Sequence, residues 1–441
     1  MVFQEPAGWH VLIGDNGAGK STIVKSAALA LLDYSDITAT RENWNEWLSH
    51  KAIGGQISLK LFFDERYENT GTNVSETINK PAINANETVN GLVITRRSSF
   101  ENSEEEVGLA AVMFAGQVVY HRLREHIKSL NSLGITDSTP TTPLHPRTGS
   151  WFSVAYGPYR RFTGGNQEKE KLFTSNPRLG AHLSVFGEDV ALSEALTYLR
   201  ELYIKKLEKR PEGEVIDWLF QFITEAQLLP HGTQIKEINS DGIFFTDGNG
   251  NTITAVQMSD GFRSVLSLTF ELIRQLAATY GPKGVFHPKD PTKVNVPGVV
   301  LIDEVDAHLH PTWQRKVGLW FREHFPKMQF IVTTHSPLVC QAAEVGTVWR
   351  LPRPGTDEEA RQVTGVELDR LIFGNVLDAY GTGLFGEDVA RSEKSKQRLQ
   401  RLAKLNLKEM RQGLSAAERR EQTALRASLP TASMAVHDSD Q

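Results

Sequence analysis

One run of eight residues constrains this chain more than any other: Gly14-Asp15-Asn16-Gly17-Ala18-Gly19-Lys20-Ser21, followed directly by Thr22. Ahead of it, Val11-Leu12-Ile13 is a short apolar run with the look of a buried strand. Behind it, residues 22–32 have helical composition. A strand, a glycine-rich loop and a helix in that order are the context of a phosphate-binding loop. The glycines let backbone N–H groups turn inward with no Cβ in the way. Those donors and the positive end of the helix make an anion site. In such a loop Lys20 reaches the β- and γ-phosphates of ATP and the Ser21 hydroxyl binds Mg²⁺. The bland alternative is a glycine-rich turn before an ordinary helix, and the two flanks weigh against it.

A second apolar run, Val299-Val300-Leu301-Ile302, ends in Asp303 and Glu304. Asp303, at the strand tip, is placed to hold Mg²⁺ directly or through water. Glu304 points to where an attacking water sits and is the candidate general base. The next buried run, Gln329–Val332, leads into Thr333-Thr334-His335-Ser336-Pro337. His335, at a strand's C-terminal end, is a candidate contact for the γ-phosphate and the water, although a lone histidine can also be structural. Gln257-Met258-Ser259-Asp260-Gly261-Phe262-Arg263 precedes a helical stretch over 264–280. Ser259, Asp260 and Gly261 with that helix start form a second anion-binding end, which can serve a neighbour's nucleotide. Taken alone, the segment is a helix N-cap.

The chain divides by composition into four parts. Residues 1–65 form the N-terminal part of a nucleotide-binding head and 256–350 its C-terminal part. Between them, 66–255 is an α+β insertion with strands, a helical lid (187–229) and a β-meander (235–256). Residues 351–441 are helical and charged. Strands are expected over 54–65, where Ile57, Leu59, Leu61 and Phe63 alternate, and over 91–97, 112–120 and 151–156. Polar loops are expected at 66–91, 133–150 and 281–298. The strand over 151–156 runs into Gly157-Pro158-Tyr159-Arg160-Arg161, where Arg160 or Arg161 either stabilises phosphate charge or is a solvated basic turn. In the C-terminal helix over 392–414, Lys394, Arg398, Arg401, Lys404, Lys408 and Arg411 gather on one face. Leu399, Ala403, Leu407, Met410 and Leu414 line the other, expected to dock while the basic stripe faces outward.

With 40% hydrophobic and 23% charged residues the chain is globular in composition. No run approaches the roughly 18 apolar residues of a membrane span. Cys340 stands alone, which rules out an intrachain disulfide and a cysteine-based zinc site and suits the cytoplasm. The net charge of −5 argues against a globally basic nucleic-acid binder and leaves DNA contact to local patches. Only ten residues precede Val11, so either the start is late or the adenine side of the site is built differently.

The ordered set of phosphate loop, long insertion, Met-Ser-Asp-Gly-Phe-Arg, Leu-Ile-Asp-Glu-Val-Asp-Ala-His-Leu-His-Pro and Thr-Thr-His-Ser-Pro resembles the ABC-type ATPase superfamily. The branch is that of the RecF, SMC and OLD ATPases, and within it the stand-alone ATPases of bacterial anti-phage systems, such as the Septu ATPase PtuA. The resemblance covers residues 9–65 and 151–350. It implies an α/β P-loop NTPase in which Met258–Phe262 is the signature loop, Ala307–His310 the D-loop and His335 the switch histidine. It further implies a head-to-head dimer, or a higher oligomer, with ATP held between one subunit's phosphate loop and the other's signature loop. Asp260 and Phe262 depart from the Leu-Ser-Gly-Gly-Gln usual in transporters, and no clear glutamine stands at the usual metal-contacting loop.

The leading reading is therefore an ATP-hydrolysing dimer that controls a separate effector protein, a nuclease for example, in anti-phage defence. The alternative is a DNA-repair or DNA-maintenance ATPase of the RecF and SMC kind, although the long heptad runs of SMC proteins are missing. A transporter's nucleotide-binding subunit is the third reading.

Overall fold

The computed structural model describes residues 1, 3, 7–32, 36–37, 40, 54–63, 91–100, 106–114, 117–121, 152–159, 176–187, 194–229, 232–239, 242–287, 289–385 and 392–428. The chain divides into two compact units, residues 1–373 and 374–441. Among the described residues no helix is long and apolar enough to cross a membrane.

In the first unit β1 (Gly8–Ile13) leads into α1 (Lys20–Leu31). Then come β2 (Gly54–Phe63), β3 (Gly91–Phe100), β4 (Glu106–Phe114) and β5 (Gln117–His121). β6 (Ser153–Tyr156) is followed by α2 (Pro177–Phe186), α3 (Glu194–Leu207) and α4 (Val215–Glu225). β7 (Gln234–Asn239), β8 (Gly242–Thr246) and β9 (Thr252–Thr254) form the expected meander. After α5 (Asp260–Tyr280) come β10 (Phe286–His287), β11 (Asp290–Val294) and β12 (Gly298–Ile302). The unit ends with α6 (Pro311–His324), β13 (Met328–Thr333), β14 (Gly346–Arg350), β15 (Arg361–Gln362) and α7 (Gly365–Ile372).

A six-stranded sheet in the order β15-β14-β1-β13-β12-β6 organises the unit. All its pairings are parallel except β14 with β15. β1 has a parallel neighbour on each side and is buried throughout, as a near-continuous apolar run in a covered parallel sheet should be. One core cluster joins Val24, Ala28 and Leu31 of α1 to Leu12, Ala155 and Leu301 of the sheet. Another is aromatic: the ring of Trp9 stacks on Phe321 and tilts against Phe330, and Phe325 completes the group. Each phenylalanine fully buried there contributes about 1.5–3 kcal/mol. α6 comes so close that a Cβ on Gly318 would sit 2.5 Å from the Ala342 Cβ and 2.7 Å from the Trp9 ring.

Several expectations need correction. The single strand expected over 112–120 is two antiparallel strands, β4 and β5, with Phe114 opposite Gln117, the spacing of a two-residue hairpin. The loop expected over 281–298 contains the β10–β11 hairpin. β6 lies within the 66–255 stretch yet pairs with β12, so that part of the expected insertion is central sheet. β2, placed with the N-terminal head, pairs with β3 in a separate four-stranded sheet with β4 and β5. α2 was hidden in a polar stretch. Its own signals are Asn176, whose side chain accepts from the Leu179 N–H as N-cap, and Pro177 in the first turn. The first unit also runs past residue 350, because the Val363 N–H donates to the Val348 carbonyl at 2.8 Å and Leu371 of α7 is buried.

The second unit holds α8 (Val376–Tyr380), α9 (Glu393–Gln412) and α10 (Ala416–Ser428). α9 and α10 pack as a hairpin in which Leu402 and Leu405 are the buried apolar residues of α9. The expected docking face is therefore wrong: Leu407 and Met410 are 49% and 77% exposed. The basic stripe is not a free one either. Arg401 pairs with Glu421 through two hydrogen bonds at 2.8 Å, and Lys408 pairs with Glu418 at 2.6 Å. Carboxylates of α10, which spacing along α9 alone does not reveal, hold two of its six cations. Arg160, Arg161 and the loops expected over 66–90 and 133–150 lie outside the described residues.

Candidate nucleotide site

The loop between β1 and α1 turns on two glycines in the left-handed region, Gly17 at φ +79° and Gly19 at φ +87°. A Cβ on Gly19 would meet nothing within 4 Å, so backbone conformation rather than space calls for glycine there. Gly19 is also the N-cap of α1 and brings no side chain to cap it, which leaves first-turn N–H groups for an anion. Lys20 is 6% exposed, and its Nζ donates to the Gly14 carbonyl at 2.8 Å and the Asp15 carbonyl at 3.0 Å. Burial lowers its pKa, while the charges of Glu304, Asp303 and Asp15 push it back up. Lys20 thus feels both carboxylates at the tip of β12. Ser21 is half-buried and Thr22 exposed.

β13 lies between β1 and β12, and its last residue ties the two halves together. The Thr333 hydroxyl donates to Asp303 Oδ1 at 2.6 Å and accepts from the Glu304 N–H at 2.7 Å. Asp303 is only 2% exposed, and its own N–H donates to the Tyr156 carbonyl at the end of β6. Glu304 sits at φ +47°, a left-handed conformation costing a non-glycine residue about 1–2 kcal/mol. The next residue repeats the pattern, with the Thr334 N–H donating to the Leu12 carbonyl at 3.3 Å and its hydroxyl to Asp306 at 2.6 Å. His335 is exposed just beyond, before a short helix that Ser336 caps. In the sequence the two threonines stand only as the first residues of Thr333-Thr334-His335-Ser336-Pro337. Their signal was a pair of hydroxyls at the end of an otherwise apolar buried strand.

Ser259 is the N-cap of α5, which begins four residues earlier than the expected Ser264, and its side chain makes no cap hydrogen bond. Asp260 is ion-paired with Arg263, whose hydrogen bond and charge hold that carboxyl below its usual range, with His308 helping. Gly261 is wedged against the segment after Glu304: a Cβ there would lie 2.8 Å from the His308 carbonyl. His308 itself is left-handed at φ +64°. His310 caps α6 by accepting from the Thr312 N–H. Gly261 of the Met258–Phe262 segment and His308 of Ala307–His310 therefore lie against one another, and the Ala307 N–H donates to the Glu304 carbonyl at 2.9 Å.

The donor set suits a magnesium nucleotide. Mg²⁺ in phosphate-transfer sites takes one or two protein ligands beside substrate oxygens and water, a role Ser21 and Asp303 would fill. Lys20 and the N–H groups of the loop would hold the phosphates. Among the described residues no group of three or more His, Cys, Asp or Glu side chains could hold a metal by itself.

A parallel sheet with a phosphate loop after its central strand, an Asp-Glu pair two strands away and a Thr-Thr bridge between them is the P-loop NTPase fold of the ABC-ATPase type. The family described as “AAA domain, putative AbiEii toxin, Type IV TA system” matches residues 166–341. The chain resembles the ABC-type ATPases among its relatives. It is 23% identical over 357 residues to “Retron Vc95 probable ATPase” of Vibrio cholerae serotype O1 biovar El Tor, covering 75% of this chain and 66% of the relative. It is 33% identical over 146 residues to “Septu protein PtuA” of Bacillus thuringiensis, covering 32% of this chain and 35% of that one. The chain thus spans less than two-thirds of the length of either relative. Among solved structures, an SMC head bound to the C-winged helix domain of ScpA superimposes with a TM-score of 0.39 at 16% identity, covering 82% of this chain and 91% of the other.

Proposed function

We propose that this protein binds Mg-ATP and hydrolyses it as a nucleotide-switched, head-to-head dimer that controls a separate effector protein, a nuclease for example, in bacterial anti-phage defence. The observation that carries the ATPase part is that β13 lies between β1, which leads into the Gly14–Ser21 loop, and β12, with its Thr333 hydroxyl bonded to the Asp303 carboxylate and to the Glu304 backbone N–H. Lys20 and Ser21 hold the phosphates and metal, Asp303 completes the metal site, and Glu304 is the base for the attacking water. The dimer follows from Ser259 and Gly261. Ser259 is the N-cap and Gly261 lies in the first turn of a 21-residue helix whose N-terminal dipole favours an anion, and Gly261 packs against the His308 carbonyl, four residues after the base. In an isologous pair each such end faces the other subunit's phosphate loop. The retron and Septu relatives support the defence setting.

Mixing two inactive variants tests the composite site. Ser259→Arg spoils the end offered to the partner, and Glu304→Gln removes the base from its own site. Alone, each pair is dead. In a mixed pair one site regains a wild-type loop, base and signature serine, so an equimolar mixture should recover roughly a quarter of the parent rate. A mixture as inactive as its components refutes the shared site.

A further inference from the structure

Arg350 stands at the C-terminal end of β14, opposite Ile13 in the parallel register. Its Nη2 donates to Asp15 Oδ1 at 3.1 Å, and its side chain is 9% exposed against 36% for Asp15. The other terminal nitrogen, Nη1, is buried with no hydrogen-bond partner. It lies 3.4 Å from the point where a Cβ on Gly14 would stand, at the first residue of the phosphate loop. The chain that follows stays on that loop. The Leu351 N–H donates to the Ile13 carbonyl at 2.8 Å, and Pro354 Cγ is 3.5 Å from the Cβ point of Gly17.

An anchoring role explains Nη2 and leaves Nη1 unexplained. Guanidinium offers five N–H donors in a fixed planar fork, and a buried charged donor without an acceptor is costly. Asp15 occupies one arm of the fork. The charge of Arg350 also opposes that of the Lys20 ammonium nearby.

We propose that Arg350 is the second cation of the phosphate site, an inference that rests on the ATP-binding reading above. Nη2 holds Asp15 and with it the start of the loop. Nη1 donates to a phosphate oxygen of the bound nucleotide, a division of labour that fits a planar fork and not a lysine's single point charge.

The test is an equilibrium titration of the full chain with a fluorescent ATP analogue and Mg²⁺, on the parent, Arg350→Gln, Arg350→Lys and Asp15→Asn. Arg350→Gln should raise Kd by roughly 10- to 100-fold, the range of a charge-assisted hydrogen bond. Asp15→Asn removes only the charge of a partly exposed ion pair and keeps an oxygen that can accept from Nη2, so its Kd should move less than that of Arg350→Gln. Arg350→Lys should fall between them. Parent-like affinity in Arg350→Gln overturns the proposal, and so does an Asp15→Asn loss as large as that of Arg350→Gln, since Arg350 would then only anchor the loop. If thermal melting shows Arg350→Gln to be unfolded, Arg350→Lys decides: weaker than Asp15→Asn supports the phosphate contact, equal or tighter overturns it. A parent that binds no nucleotide refutes the ATP reading itself, a result distinct from variant parity.

Discussion

Replacing Thr333 by valine keeps the side chain's shape and removes only its hydroxyl. That hydroxyl makes two hydrogen bonds at the centre of the site, to the Asp303 carboxylate and from the Glu304 N–H. A hydrogen bond to a charged group contributes about 1.5–3 kcal/mol and a neutral one about 0.5–1.5. Thr333 is fully buried and Asp303 nearly so, which puts both bonds where water is a poor substitute. Thr333→Val should therefore cost about 2–4.5 kcal/mol. Domains of about 150–250 residues lose about 2–4 °C per kcal/mol and larger ones less, so melting of the 1–373 unit should fall by a few degrees. The functional loss should be larger than the stability loss suggests. Glu304 is held at φ +47°, and the bond to Thr333 is one of the contacts that keep its backbone there. Misplacing a reacting group by about 1 Å can cost roughly 10²-fold in rate. Steady-state phosphate release and differential scanning calorimetry on Thr333→Val and Thr333→Ser check both effects. Serine keeps the hydroxyl and should recover most of the rate. A valine variant with parent melting and parent turnover refutes the bridge, as does a serine variant that loses as much as valine.

Three further outcomes are expected. Lys20→Ala should weaken ATP binding by roughly ten- to a hundred-fold, read by the same fluorescent titration. Glu418 is held down to about 2 from 4.5 by its bonds to Lys408 and Ser415, so its contribution to the second unit is present above pH 4.5 and lost as pH falls through about 2. Carbon-detected NMR should find that carboxyl titrating near 2 in the parent and closer to 4.5 in Lys408→Ala. Cys340 is fully buried, and burial with the nearby Asp306 charge pushes its thiol up, so iodoacetamide should label it only after denaturant unfolds the chain.

What the sequence reveals here is local. The phosphate loop is legible because its glycines, lysine and serine work within eight residues, and the structure shows Gly17 and Gly19 left-handed as such a loop requires. Asp303 and Glu304 are legible because an apolar strand carries them to its tip. Thr333 and Arg350 are not, since their meaning depends on partners 30 and 335 positions away, brought together only by the strand order. The same limit explains the C-terminal helix. Spacing along α9 says where its cations stand on that helix alone, whereas the carboxylates that pair with Arg401 and Lys408 belong to α10. β4 and β5 read as one strand for a different reason: an apolar run stands on either side of Ala115-Gly116-Gln117, and so short a break is easily bridged by eye.

The most direct test of the central claim is ATP turnover by the purified chain with and without Glu304→Gln, alongside ATP affinity. The account predicts that the parent releases phosphate from Mg-ATP and that Glu304→Gln binds ATP as tightly. Turnover by the variant should be slower by about 10²–10⁴, the usual effect of losing a general base. Parent-rate hydrolysis by Glu304→Gln, or no hydrolysis by the parent, would contradict it.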